Sequence, residues 1–220
     1  MAARGLLLVA LFGAEIVLGG CMQSTIEPAT NMTARDKKLL EFAPYEKANI
    51  PEQFRRQTVQ YQGKESPGTI VINSDARYLY YVLPEGKAIR YGVTVGEEAL
   101  AWSGVAKIAR MSEWPTWTPT PEIKKRLAVP TFVASGPENP MGARAMYLYQ
   151  GNKDTLYRIH GTNQPEYIGQ AISSGCIRLT NEDVIDLYDR VKIGTTVVVL
   201  PPANGNSSSD PRIASGRNHL

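Results

Sequence analysis

The sequence predicts a mostly β domain, and three observations favour this class. Glycine and proline together account for 34 of the 220 residues (19 Gly and 15 Pro), which favours short strands joined by turns over a helix bundle. Roughly seven short segments have the β-branched or alternating composition of strands. Only one segment after residue 67 has a strong helical pattern. This balance points to a β-sandwich or barrel with one or two short helices.

The first strand patterns lie between residues 69 and 111. A β-branched apolar run is separated by the turn-forming Asn73-Ser74-Asp75 from a tyrosine-rich run. We expect strands at residues 69–72, 77–83, 88–95 and 105–111. A proline-rich stretch without periodicity follows at residues 114–143. Such long stretches within a compact domain are usually functional loops.

The remaining elements follow this loop. We expect strands at residues 145–149, 155–159 and 196–200. A helix is predicted over residues 181–191, because Thr180 and Asp183 form a capping box and an apolar stripe at helical spacing follows them. Gly194 lies just past the predicted end of this helix.

The N-terminus has the composition of an export signal. Arg4 precedes a mostly apolar stretch that is too short for a comfortable membrane span. The stretch ends in Leu18-Gly19-Gly20-Cys21, which resembles the lipobox of bacterial lipoproteins, with Cys21 as the lipidation site. Secretion after cleavage nearby, without a lipid, and an uncleaved anchor are the alternatives.

These patterns divide the chain into four parts. Residues 1–20 form the signal, and residues 21–66 are expected to be a tether with short helices at residues 33–42 and near Phe54. Residues 67–200 form the globular domain. Residues 201–220 are rich in Ser, Asn, Gly and Pro and are expected to be disordered.

The composition excludes several classes of function. The net charge of +3 is too small and too scattered for a dedicated nucleic-acid binder. Two cysteines exclude a disulfide scaffold, and two histidines with two cysteines leave little for a metal site. We therefore expect no metal and no cofactor.

The domain contains one thiol and one imidazole. Apart from Cys21 and His219 near the ends of the chain, these are Cys176 and His160, each in a glycine-containing turn. An imidazole can generate a thiolate nucleophile and later protonate a leaving amine. A glycine beside the nucleophile lets a substrate carbonyl approach backbone N–H groups that can form an oxyanion hole. Taken alone, such a lone pair of residues is more often structural.

A longer set of motifs favours a catalytic role for Cys176 and His160 over a structural one. His160-Gly161-Thr162 followed by Ser173-Ser174-Gly175-Cys176-Ile177-Arg178-Leu179 resembles the signature of the L,D-transpeptidase (YkuD-type) catalytic domain family. The resemblance covers about residues 67 to 200 and includes further segments in the same order, at residues 67–72, 89–93, 114–119 and 136–142.

The resemblance implies a YkuD-like β-sandwich that remodels peptidoglycan in the periplasm or cell envelope, reached through the signal or a lipid anchor. Cys176 would attack the L,D peptide bond of a tetrapeptide stem and release D-alanine. The acyl group would pass to an acceptor amine, giving a 3-3 cross-link or anchoring an outer-membrane protein. His160 would be the general base and acid, and carbapenems would acylate Cys176.

The resemblance also implies roles for neighbouring residues. Those implied for the oxyanion hole or for substrate binding are Gly175, Ser173, Ser174, Gly161 and Arg178. Many members have a second histidine where this chain has Ser174, so no second imidazole assists here. Candidate residues of the substrate cleft are Trp114, Trp117, Arg144 and Tyr147, although anchoring the loop is an equally good interpretation for the two tryptophans.

Three other functions compete with this interpretation. Thiol peptidases of the NlpC/P60 or papain type place cysteine before histidine in the chain, whereas here His160 precedes Cys176. An inactive wall-binding lipoprotein would be expected to lose one of these two residues. An L,D-carboxypeptidase would share the acyl-enzyme and transfer it to water. The sequence does not choose among the acceptors.

Overall fold

The structure is a computed structural model, and it describes residues 31–45, 48–96, 102–126, 128–173 and 175–202. Its helices are α1 (Ala34–Glu41), α2 (Pro121–Arg126) and α3 (Asn181–Arg190), and 3₁₀ turns lie at Glu52–Phe54 and Pro165–Tyr167. The strands are β1 (Gln57–Gln60), β2 (Ile70–Asn73), β3 (Tyr78–Leu83), β4 (Lys87–Gly92), β5 (Val95–Gly96), β6 (Gly104–Glu113), β7 (Arg144–Gln150), β8 (Lys153–His160), β9 (Ala171–Ser173), β10 (Ile177–Arg178) and β11 (Thr196–Val199). The expected mostly β class is confirmed.

The strands form a nine-stranded sheet in the order β1-β4-β3-β2-β11-β6-β7-β8-β10, and β5 pairs with β9 in a separate two-stranded sheet. In the large sheet β11 pairs in parallel with β2, and β10 pairs in parallel with β8. The other neighbouring strands are antiparallel. The C-terminal strand β11 therefore joins the two halves of the sheet.

Successive side chains of β2 pack into two different hydrophobic cores, one on each face of the strand. Ile70 and Ile72 belong to the larger core, which also contains residues of β6, β7, β8 and α3. Val71, between them, belongs to a smaller core with Tyr80. This two-residue period is what a strand buried on both faces requires. Helix α3 contributes Val184 and Leu187 to the larger core, as its predicted apolar stripe indicated.

The segment before residue 67 differs from the expected tether. Its described part contains the predicted α1, whose capping box joins Thr33 and Asp36, and the predicted turn ending at Phe54. It also contains β1, which pairs with β4 and was not predicted. All four residues of β1 are half-buried, so the strand lacks the apolar alternation that sequence analysis relies on. Cys21 and the signal lie outside the described residues.

Further elements differ from the expectation, among them β9 and β10, which were not predicted. The run at residues 88–95 is divided, with β4 ending at Gly92 and β5 beginning at Val95. The proline-rich loop contains the short helix α2. Of the expected disordered tail only Pro201 and Pro202 are described.

Candidate active site

Parallel pairing of β10 with β8 brings the two predicted catalytic residues to neighbouring strands. Arg178 lies opposite His160, and Ile177 lies opposite Ile159. The Leu179 N–H donates to the His160 carbonyl at 2.9 Å, which continues this pairing. Cys176 immediately precedes β10. The thiol therefore lies where β10 begins, beside the C-terminal part of β8.

The hydrogen bond of His160 determines which ring nitrogen can act as a base. Its Nδ1 lies 2.6 Å from the Gly161 carbonyl oxygen. A carbonyl oxygen only accepts hydrogen bonds, so Nδ1 carries the proton and donates. The lone pair of the neutral ring is consequently on Nε2.

Burial keeps the His160 imidazole neutral. The side chain is buried, and desolvation, followed by the positive charges of Arg178 and Arg158, lowers its pKa from 6.5 to about 3. The carbonyls of Gly161 and Met141 act in the opposite direction but do not compensate. At neutral pH the ring is therefore uncharged, and its Nε2 is unprotonated.

Arg178 lies beside both groups. Its backbone is fixed by reciprocal hydrogen bonds with Thr94, both 2.9 Å long. Burial lowers the pKa of its guanidinium, and negative charge on Cys176 opposes this shift. The attraction is mutual, so Arg178 favours the anionic form of the thiol. Its Nε is buried and has no hydrogen-bond partner among the described residues.

Cys176 opens onto a cleft of about 600 Å³. Gly175, beside it, also lines the cleft and has a φ of 103°, a conformation that favours glycine. The other lining residues come from β6, β7, β8 and the proline-rich loop; they are Arg110, Ser112, Pro115, Thr116, Trp117, Thr118, Thr120, Ile123, Met141, Tyr147, Thr155, Leu156, Tyr157 and Arg158.

Buried Asn139 holds the proline-rich loop in shape. Its Nδ2 donates to the carbonyls of Pro115 and Ala134 at 3.0 and 2.9 Å, and its Oδ1 accepts from Met141 N–H at 2.9 Å. Trp117 and Val133 pair through two backbone hydrogen bonds of 2.9 and 2.8 Å. These bonds fix the loop that forms one wall of the cleft.

Asn181, at the start of α3, holds the turn after His160. Its Oδ1 accepts from the Ala143 N–H at 2.8 Å, and its Nδ2 donates to the Thr162 carbonyl at 2.9 Å. Gly142 has a φ of 62°, and a Cβ there would collide with Asn181 Oδ1 and approach the Gly161 carbonyl carbon to 2.5 Å. The close packing of these turns therefore requires glycine. Asn181 was not predicted, and its only signal in the sequence is its place next to Thr180, whose side chain caps α3 by accepting from the Asp183 N–H; the reciprocal bond of the predicted capping box is not seen between these two described residues.

A match to a known protein family covers the segments that form this site. A family model described as YkuD, L,D-transpeptidase catalytic domain, matches residues 67–199. The chain belongs to this family. The YkuD match includes the pairing of β8 with β10, the turns around His160 and Cys176, and the cleft-forming loop.

Curated relatives carry the same description. The chain is 39% identical over 141 residues to the probable L,D-transpeptidase ErfK/SrfK of Escherichia coli strain K12, covering 60% of this chain and 43% of that protein. It is 37% identical over 160 residues to the probable L,D-transpeptidase YbiS of the same strain, covering 68% and 48%. The chain thus spans less than half the length of these two relatives.

Two solved structures are also similar. One is a crystal structure of a probable carnitine operon oxidoreductase caia from Brucella melitensis, at 51% identity and a TM-score of 0.47, covering 70% of this chain and 100% of that one. The other is the NMR structure of the catalytic domain of the E. faecium L,D-transpeptidase, at 21% identity and a TM-score of 0.45, covering 63% and 100%.

The YkuD cleft contains only some of the residues that sequence analysis assigned to it. Trp117 and Tyr147 line the cleft. Trp114 and Arg144 are instead buried, and both contact Asp36 of α1. Arg144 is 2% exposed and forms a bidentate ion pair with Asp36, with both N–O distances 2.9 Å. These two residues anchor the N-terminal helix.

The structure also gives positions for glycine and serine residues that the resemblance assigned to the oxyanion hole or to substrate binding. The Gly161 N–H donates to the Arg144 carbonyl at 3.0 Å, so this amide has a partner within the fold. Its carbonyl accepts from His160, which makes Gly161 a positioning residue. The backbone of Ser173 pairs with Gly96 in the small sheet. Ser174 lies outside the described residues.

The described part of the chain also bears on metal clusters and membrane-spanning helices. No group of three or more His, Cys, Asp or Glu residues there is arranged to hold a metal ion. None of the described helices has the length and apolar character needed to cross a membrane.

Proposed function

We propose that the protein is an L,D-transpeptidase of the cell envelope that acts on peptidoglycan stem peptides through a Cys176 acyl-enzyme. The observation that carries this proposal is the position of the Cys176 thiol. It lies beside Gly175 at a cleft of about 600 Å³, just before β10, which pairs with the strand that ends in the neutral imidazole of His160. Membership of the YkuD family and relatives named as probable L,D-transpeptidases support the same reaction class.

Each residue has a defined task in the proposed reaction. His160 Nε2 takes the thiol proton, and the Cys176 thiolate attacks the carbonyl of the L,D peptide bond. The C–N bond breaks, and the departing D-alanine amine receives the proton from His160. An acceptor amine then gives its proton to His160 and displaces the thiolate. Gly175 leaves the backbone beside the nucleophile open to the developing oxyanion.

The acceptor distinguishes three related activities. A stem-peptide amine gives a 3-3 cross-link, an amine of an outer-membrane protein gives anchoring, and water gives hydrolysis by an L,D-carboxypeptidase. All three use the same acyl-enzyme. Muropeptide analysis of cells with and without the gene, with a search for wall-linked proteins, identifies the acceptor. Export through the N-terminal signal, with Cys21 as a lipid attachment point, completes the proposal; intact mass of protein from membranes tests that part.

Acylation by a carbapenem tests the nucleophile and base. We expect one covalent adduct by intact mass and a peptide map that locates it on Cys176, with no adduct on Cys176→Ala. His160→Ala should acylate about 10²- to 10⁴-fold more slowly, since general-base assistance is lost. His219→Ala, the same change at the chain's other histidine, should acylate at the wild-type rate.

Two results would overturn the proposal. A folded wild-type protein that forms no adduct with a carbapenem and releases no D-alanine from a tetrapeptide stem would favour the inactive wall-binding lipoprotein. An adduct that forms equally fast in His160→Ala would remove His160 from the mechanism.

A further inference from the structure

Three side chains from neighbouring strands form one wall of the cleft. Arg110 of β6 lies opposite Tyr147 of β7, and Tyr147 lies opposite Arg158 of β8. All three residues line the same cleft as Cys176. The Arg110 guanidinium carbon lies 3.5 Å from the centre of the Tyr147 ring, and that of Arg158 lies 4.6 Å from it. One tyrosine thus stacks with two cations.

Irregular strand pairing aligns these residues. The register shifts between Ile108 and Arg110 on β6, and between Tyr147 and Tyr149 on β7. Extra residues in a strand bend it locally and redirect its side chains. Leu156, in the irregular part of β8, has a φ of 63° and is 71% exposed at the cleft. A bulky residue in this conformation is uncommon and marks a strand that is held in an unusual shape.

The two arginines differ in their ionic partners. Arg158 forms a bidentate ion pair with Asp154, with N–O distances of 2.7 and 2.8 Å, so its charge is compensated. Arg110 is exposed, and no carboxylate among the described residues pairs with it. Among the described residues, those that line the cleft include these two arginines and no aspartate or glutamate. Arg110 therefore gives the cleft a positive charge that no carboxylate in the described part of the chain pairs with.

We propose that Arg110, stacked on Tyr147, binds a free carboxylate of the peptide substrate and makes the cleft selective for stems in which that carboxylate is not amidated. Stacking on the ring fixes the guanidinium plane and leaves its N–H edges available for two parallel hydrogen bonds to a carboxylate. Ser112, two residues further along β6, also lines the cleft and offers a hydroxyl. The inference rests on the proposed function, since it names how the same cleft recognises its substrate.

Stem peptides contain two internal carboxylates that can be free or amidated. One belongs to the γ-linked D-glutamate, and the other belongs to diaminopimelate. Both have the chemistry that Arg110 would recognise, and a carboxamide in either place removes the negative charge. Synthetic tetrapeptide stems that are amidated at one position, at the other, or at neither therefore identify which carboxylate is bound.

The test measures the affinity of these three peptides for the full chain with Cys176→Ala, in which binding is separated from chemistry. We expect amidation at one of the two positions to weaken binding about 10-fold or more, as for loss of a charge-assisted hydrogen bond. Adding Arg110→Gln should weaken binding of the free-carboxylate peptide to the same extent and leave the amidated peptide unchanged. Arg110→Lys, which keeps the charge without the planar fork, should restore part of the preference.

The matched control is Lys107→Gln, which removes another exposed cation from β6 that does not line the cleft. It should retain the full preference for the free carboxylate. Equal affinity of the Cys176→Ala protein for all three peptides would overturn the proposal, as would a preference that survives Arg110→Gln. Carbapenem acylation of the protein with Cys176 intact reports separately on the proposed function, so the two failures are distinguishable.

Discussion

Two arginine clusters lie on the neighbouring strands β6 and β7 but in opposite environments. Arg144, at the start of β7, is buried and pairs with Asp36, which also accepts a 2.8 Å hydrogen bond from the Trp114 indole. Arg110, on β6, is exposed at the cleft and has Tyr147 as its stacking partner. The first cluster ties the N-terminal helix to the domain, whereas the second faces the space where substrate would bind.

The difference shows how the surroundings of an arginine decide its role. A buried guanidinium must be paired, because an uncompensated charge in the interior is strongly destabilising. Both Nη atoms of Arg144 donate to Asp36, and the side chain is buried, so its guanidinium is not presented to a ligand in the cleft. An exposed guanidinium held on an aromatic ring keeps its hydrogen-bonding edges free. Stability should therefore depend on the first cluster and substrate selection on the second.

The same substitution in both clusters should give the largest contrast. Arg144→Met leaves the Asp36 carboxylate buried without its cation and is expected to lower the free energy of unfolding by about 3–5 kcal/mol. Arg110→Met removes an exposed group with only a stacking contact and is expected to cost about 1 kcal/mol or less. Urea unfolding of the full-length variants measures both. Similar losses for the two variants would contradict the comparison.

Acid should weaken the buried cluster selectively. Burial alone would raise the pKa of Asp36, but hydrogen bonds from Arg144, Thr33 and Trp114 hold it well below its ordinary value of 3.8. A depressed carboxyl pKa contributes stability above the unfolded-state value, and this contribution is lost as the pH falls below it. The difference in unfolding free energy between wild type and Asp36→Asn should be constant above about pH 5 and shrink below about pH 4.

Asp183 provides a control, because its contribution to stability should change with pH in the opposite direction. Burial raises its pKa to about 6, despite the nearby positive charge of Arg56. Its ionised form therefore costs stability, and this cost is relieved as the pH falls from about 6 towards the unfolded-state value. Wild type should gain stability relative to Asp183→Asn over that range. The prediction for Asp36 would be contradicted if the difference in unfolding free energy between wild type and Asp36→Asn grew as the pH falls. That result would show that Asp36 does not stabilise the fold as an anion.

The smallest expected effect concerns the two tryptophans of the proline-rich loop. Trp114→Phe removes the hydrogen bond to Asp36 and should lower the free energy of unfolding by about 1.5 kcal/mol, as for a bond to a charged group. Trp117→Phe, the same change at a half-buried cleft residue, should leave unfolding within about 0.5 kcal/mol of wild type. Thermal or urea unfolding compares them. An equal cost at both positions would assign the two tryptophans the same structural role.

Local patterns were sufficient for much of the fold. The strand segments between residues 69 and 159, helix α3 and the capping box of α1 were predicted close to their observed bounds. Each depends on interactions within a few residues, such as alternation or a cap three residues away. Strand β1 was missed because its position is determined by pairing with β4, about 30 residues further along the chain.

In the candidate site, too, some residues could be found from local motifs and others depend on contacts between distant segments. The sequence by itself indicated Cys176 and His160 as the candidate nucleophile and base, because only one thiol and one imidazole lie within the domain and the local motifs around them resemble a family signature. It could not distinguish Arg144 from Arg110, since the two differ in burial and partners that lie far apart in the chain. Asp36 reaches Arg144 across 108 residues, and Arg110 meets Tyr147 only through a shifted strand register. The proposed nucleophile and base follow from local motifs in the sequence, whereas the surroundings of each charge depend on how distant segments pack, and only the tertiary structure decides that.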